Sequence, residues 1–267
     1  MLVNLIPDFL AVLEAPDRVA GPHFEDVVRS TVDADRADLL ALLARTDVLA
    51  LAERTLAQVR DLLALDVDVD VILMVGVGAA NAGELVVDGR GVAFVCLEHF
   101  TGVANPDTQG LGLDPELLPL WLAHEITHAV RYTSPLSRSE MRALVSEQGL
   151  ASLREHLVNE GLAVQVSRAI SPGHAAWEYL GFARKQYARV RELEPLITRA
   201  IETDLDRAGL GLRLRWLSGG MSDEARTVER TVVPERAGYF IGARLVESAI
   251  AAHGFAWAVR ATAYELS

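Results

Sequence analysis

A helix that is apolar on nearly every side yet carries two histidines one turn apart leaves a chain few ways to fold. Leu120 to Val130 is such a segment, with His124-Glu125-Ile126-Thr127-His128 inside a run of apolar, helix-forming residues. At 3.6 residues per turn, positions four apart stand above one another on the same face. His124 and His128 can therefore reach one metal ion, with Glu125 projecting beside them. Leu122, Ile126 and Ala129 lie opposite that stripe and are expected to face the core. The surrounding chain must bury this helix while leaving space at its polar stripe. His-Glu-x-x-His on a helix is the spacing with which two imidazoles hold zinc and the Glu acts as general base in peptide hydrolysis.

Upstream, the hydrophobic period is helical as far as about residue 65, through Leu39, Leu40, Leu42, Leu43 and then Val48, Leu51, Leu56, Val59, Leu62. It changes to two at Val67-Asp68-Val69-Asp70-Val71 and runs into Ile72-Leu73-Met74-Val75. That pattern predicts a strand half exposed at first and then buried on both faces. Gly76 to Gly83 reads as a loop, and Leu85 to Val95 as a hairpin turning at Asp88-Gly89. Glu98 and His99 follow as loop polar residues, and Cys96 as a small buried hydrophobe. The Gly-, Asn- and Pro-rich segment from Thr101 to Asp114 is a loop. The motif helix is expected from Pro119 to about Tyr132, because proline is tolerated in a first turn but not inside a helix.

Downstream, Ser137-x-x-Glu140 matches a capping box for a short helix ending near Gly149. A longer helix is expected from about Leu150 to Ile170, and the remainder is mostly helical. Pro234 suits a helix N1 position before Ala237-Gly238-Tyr239-Phe240-Ile241-Gly242. Gly238 and Gly242 share a face, and each costs about 1 kcal/mol inside a helix, so a close approach to another element is expected there.

Two imidazoles do not complete a zinc site, since catalytic sites commonly use three protein ligands. Glu160 is the best third candidate, with Gly161 beside it removing a side chain where two helices must close around a metal. His156, one turn earlier on the same face, competes as ligand or neighbour. Asn159 is expected to accept from a ligating imidazole, because such rings usually donate their second N–H to an oxygen.

These residues carry a resemblance. His124-Glu125-Ile126-Thr127-His128-Ala129-Val130, followed by Asn159-Glu160-x-x-Ala163, resembles the two-helix zinc site of the gluzincins, most nearly thermolysin. Glu160-Gly161-Leu162-Ala163 with Gly238-Tyr239-Phe240-Ile241-Gly242 is similar to a family of bacterial predicted zinc-dependent proteases, from about Val71 to the C-terminus. The resemblance implies His124, His128 and Glu160 as zinc ligands, Glu125 as base, and Tyr239 as donor to the oxyanion. Val164 departs from the thermolysin-like pattern, where the position four after the Glu ligand is often acidic. Gly78-Ala79-Ala80-Asn81 lacks the Gly-x-Met-Glu-Asn signature of zinc aminopeptidases, and no acid is identified to hold a free amino terminus.

The expected architecture is α+β, mostly helical and zincin-like, with a small sheet preceding the active-site helix and a mainly helical C-terminal part. Residues 1–65 would form an N-terminal helical segment packed on a catalytic unit spanning 66–267, together one continuous body. A net charge of −12 with no basic patch excludes nucleic acid and anionic membranes as partners. One cysteine excludes an internal disulfide. The N-terminus does not read as a signal peptide, and no run approaches a membrane span, so a cytoplasmic location is expected. The function expected is hydrolysis of a peptide bond in a peptide or protein substrate, dependent on Zn2+. A catalytically silent zinc-binding scaffold is the alternative, and the intact Glu125 favours the enzyme.

Overall fold

Strands form where the period-two pattern predicts them. The structure is a computed structural model that describes residues 29, 31–76, 80–104, 108, 111–142, 151–218 and 223–267. Its main elements are α1 (Ala37–Arg45), α2 (Val48–Leu63), β1 (Val69–Met74), β2 (Ala82–Val87), β3 (Arg90–Cys96), α3 (Leu118–Thr133) and α4 (Leu153–Ile170). There follow α5 (Arg184–Glu192), α6 (Glu194–Glu202), α7 (Leu210–Leu217), β4 (Thr227–Val228), β5 (Thr231–Val232), α8 (Ala237–Leu245), α9 (Glu247–His253), α10 (Phe255–Ala258) and α11 (Ala263–Leu266). The protein is α+β and mostly helical. The expected N-terminal helices survive as α1 and α2; residues 1–28 lie outside the described residues.

The sheet runs in the order β1-β3-β2, with β1 parallel and β2 antiparallel to the central β3. Asp88 (φ 50°) and Gly89 (φ 77°) are both left-handed, the geometry of a two-residue hairpin turn that matches strand twist. β3 is buried on both faces from Gly91 to Cys96. β1 is not: Ile72 is 46% and Met74 39% exposed, because this strand is an edge and keeps one face toward solvent along its length. The expectation that β1 becomes buried on both faces is corrected accordingly. Glu98 and His99 are also corrected. Both are buried in a short 3-10 turn, where the Glu98 carboxylate accepts from the Gly76 amide at 2.8 Å.

α3 packs beneath the sheet. A Cβ on Gly91 would stand 3.0 Å from that of Ala129, so glycine lets the helix come close to the central strand. Leu122, Ile126 and Ala129 are fully buried as expected, but so is nearly every other residue of the helix. The sheet, α2 and α4 enclose it on successive sides. α3 starts at Leu118, with Pro119 in the first turn, where a missing N–H costs nothing.

α4 lies against α3 on one side and α8 on the other. Ser152 caps it, accepting from the Glu155 amide at 3.2 Å. Glu140 does not close a capping box with Ser137; it accepts from the amide and hydroxyl of Ser152 at 3.0 and 3.1 Å. Ser139 instead caps residues 140–142 by accepting from the Met141 amide at 3.0 Å. Residues 143–150, which hold the rest of the expected short helix, lie outside the described residues.

The expected glycine contact is present. A Cβ on Gly161 would meet the Gly242 carbonyl oxygen at 2.1 Å, and one on Gly242 would meet that of Leu157 at 2.1 Å. Two helix backbones thus touch directly, and their packing offsets the helix-propensity cost of about 1 kcal/mol per glycine. Pro234 is not at N1 of α8. The helix begins at Ala237, after Arg236 turns the chain through a left-handed conformation at φ 57°.

One buried ion pair ties these elements together. Arg131, one turn beyond His128, is fully buried and donates to Glu155 Oε1 from Nε at 3.1 Å and Nη2 at 2.6 Å. Its Nη1 reaches the carbonyls of Val259 and Ala261, each at 3.1 Å, and Ser139 also donates to Glu155 at 2.6 Å. The pair therefore fixes α3 against α4 and against the chain leading into α11.

Candidate metal centre

Because α3 and α4 cross at close range, residues 124, 128 and 160 meet. Glu160 Oε2 lies 3.2 Å from His124 Nε2 and 3.4 Å from His128 Nε2, and all three residues are buried. Their ligand atoms lie within 4.8 Å of one another and could hold one metal ion. His156 is not in this group. It is half-buried, and desolvation together with the positive charge of Arg213 pushes its pKa down to about 3.

Burial dominates the electrostatics. It drives His124 down to about 4, favouring the neutral ring, against the opposing hydrogen bond to Glu160. Burial alone would raise Glu160, but His128 and His124 beside it override that and hold the carboxylate well below its usual range. Glu125, next to His124 on the helix, is buried and pushed up to about 8 by desolvation and then by the charge of Glu160. A dication would act on Glu125 in the opposite direction.

Aromatic rings wall the group. Tyr239 stacks on His124 with centroids 6.4 Å apart and planes 20° from parallel. Tyr132 stacks on His128 at 6.1 Å and 16°, and Trp121 is tilted against His124 at 5.7 Å. Burial raises the Tyr239 phenol above its ordinary value, so it stays protonated. The structure thus brings Glu125 and Tyr239 to the same place as the three ligand candidates. Asn159 is a correction: it donates to the Tyr132 hydroxyl at 3.1 Å, and its own oxygen accepts from nothing among the described residues. Tyr132 in turn donates to Glu84 of β2 at 2.9 Å.

Sequence reading missed Tyr132 and Arg236. Tyr132 continues the 124, 128 stripe by four and was accessible to the same spacing argument. Arg236 was not, since its guanidinium reaches the site only through the turn into α8, where it lies 4.4 Å over the Tyr239 ring.

Compared with known sequences, residues 53–266 match the family described as Predicted Zn-dependent protease (DUF2268). The chain belongs to this family. No curated protein and no solved structure matches it. Zinc, the metal on which the family is described as depending, suits the residues present. Two imidazoles and one carboxylate are a borderline nitrogen and oxygen donor set of the kind zinc takes. Among the described residues, the buried Glu125 and Glu160 have no Lys or Arg side chain within ion-pair distance; only the two imidazoles come that close to Glu160. Both Nδ1 atoms, of His124 and His128, are buried without a hydrogen-bond partner among the described residues.

Proposed function

We propose that the protein is a gluzincin-type peptidase in which His124, His128 and Glu160 hold zinc and Glu125 is the general base. The observation that carries this reading is the single oxygen of Glu160 within 3.4 Å of both imidazole nitrogens, one helix away from the motif. Zinc, when bound, supplies Lewis-acid stabilisation of negative charge and acidifies water. Glu125 takes the proton of the attacking water and delivers it to the leaving amine. Its burial makes it a stronger base than an exposed carboxylate, provided the site's charge keeps it ionised. Tyr239, held protonated, donates its hydroxyl to the oxyanion as the carbonyl becomes tetrahedral. The ring walls of Trp121, Tyr132 and Tyr239 exclude competing water. His124 and Glu160 orient each other by their direct contact.

The test is turnover of a mixed peptide library, read by mass spectrometry, for zinc-loaded wild type and Glu125→Gln. The variant is expected to keep its zinc and lose at least about 100-fold in rate. Unchanged cleavage in a zinc-loaded Glu125→Gln protein removes the assignment of the base. Absence of cleavage by the zinc-loaded wild type leaves the scaffold alternative in its place.

A further inference from the structure

Arg236 is a partly buried cation on the wall of the site with no anion to pair with among the described residues. Its guanidinium lies 4.4 Å over Tyr239, whose ring stacks on the His124 ring. No carboxylate among the described residues comes within ion-pair distance of it, whereas Arg131, Arg226 and Arg260 all have such partners. Its Nη1 donates to the Gly181 carbonyl at 3.4 Å, and the guanidinium is also hydrogen-bonded to the Tyr239 side chain. A guanidinium offers five N–H groups in a planar fork, so donors remain beyond these two neutral contacts.

The surroundings are shaped to keep it there. Gly181 stands at φ 62°, and a Cβ on it would lie 3.1 Å from Arg236 Nη1 and 3.1 Å from the Trp121 ring. Glycine thus leaves room between the guanidinium and a wall of the site. Arg236 itself holds a left-handed backbone at φ 57°, an unfavourable conformation for a long side chain and one that persists only where the surroundings impose it.

We propose that Arg236 anchors a carboxylate of the substrate, either the C-terminal carboxylate of a peptide or the side chain of an Asp or Glu near the scissile bond. This rests on the peptidase reading above. A bidentate pair from a guanidinium fork to a carboxylate is the strong, oriented contact that such a site offers. The net charge of −12 does not oppose it. Charges on the outer surface are screened over about 8 Å at physiological ionic strength, while a contact pair in a partly buried site is screened much less.

Binding can be measured without turnover on zinc-loaded Glu125→Gln protein by calorimetric titration. The probes are N-acetylated tripeptide pools with a free C-terminus, the same pools amidated, and amidated pools carrying Glu or Gln. Carboxylate-bearing pools are expected to bind about tenfold more tightly than their neutral counterparts. The arm that shows the preference assigns it to the terminus or to the side chain. Adding Arg236→Gln should abolish the preference with zinc content unchanged, and Arg236→Lys should keep only part of it, since a point charge cannot form the fork. Equal binding of acid and neutral pools overturns the proposal without recourse to any Arg236 variant. So does an acid preference that survives Arg236→Gln, which would place the carboxylate on the metal. If wild type cleaves no peptide yet the Arg236-dependent preference is measured, the peptidase reading falls and the anchor stands. Cleavage without any carboxylate preference removes the anchor alone.

Discussion

Helices α3 and α4 carry two buried polar clusters about one turn apart, and the two meet the cost of burial differently. Around Arg131 the charges close on themselves: guanidinium faces carboxylate, and backbone carbonyls with Ser139 take up most of the remaining bonds. Around Glu160 they do not. Two imidazoles meet a carboxylate, a second carboxyl sits beside them, and both Nδ1 atoms lack partners among the described residues. Buried charge without compensation costs several kcal/mol per ion, so a fold keeps such a cluster only if something outside the side chains completes it. The first cluster is structural and the second is built for a cation.

Breaking the closed cluster should have the largest effect. Arg131→Met leaves Glu155 buried without its partner and is expected to cost about 3–5 kcal/mol in urea unfolding. Arg131→Met with Glu155→Met should recover most of that. If the single variant costs less than about 1 kcal/mol, the cluster is not the fastener described here. The open cluster should respond to metal instead. Zinc at about a thousandfold excess over its dissociation constant stabilises the wild type by about 4 kcal/mol, read as a rise in melting temperature. Glu160→Ala should lose both the rise and the bound zinc, and His156→Ala should keep both. The reverse pattern in zinc content would make His156 the third ligand.

A subtler change tests whether the two helices must touch their neighbour to hold the site. Gly161→Ala places a methyl group 2.1 Å from the Gly242 oxygen, so α8 has to move. A loss of about 1–3 kcal/mol is expected, and weaker zinc binding with it, measured by competition with a chelator. Smallest at neutral pH is His156→Gln. The folded-state pKa of His156 is depressed to about 3 from 6.5, so its neutral form contributes stability above 6.5 that is lost as pH falls toward 3. The variant should match wild type within about 1 kcal/mol at pH 7. Its metal-free unfolding midpoint should then fall less steeply between pH 6.5 and 4, by a fraction of the ~1.4 kcal/mol per pH unit that one proton can contribute. An unchanged acid limb would show that His156 does not carry this coupling.

What could be read in advance follows a physical pattern. The hairpin at Asp88-Gly89, the motif helix and the glycine contact all rest on short-range rules, and each appeared where those rules put it. Errors came where burial depended on neighbours distant in sequence. β1 looked like an interior strand because its residues are apolar, but strand order made it an edge. Glu98 and His99 read as loop polar residues, yet both lie buried in a short 3-10 turn. Asn159 is expected beside a ligating imidazole, but its amide donates to the Tyr132 hydroxyl.

The sequence alone determined that two imidazoles and a carboxyl stand on one helix, since helical period is a local property of the backbone. It also determined that glycines at 161, 238 and 242 leave room for close helix packing. Only the tertiary structure decided that Glu160 rather than His156 meets both imidazoles, and that Arg236 reaches the same wall through Tyr239. Both outcomes depend on the distance and rotation between elements far apart in the chain. Those are set by the summed packing of the core, where no single spacing carries the information.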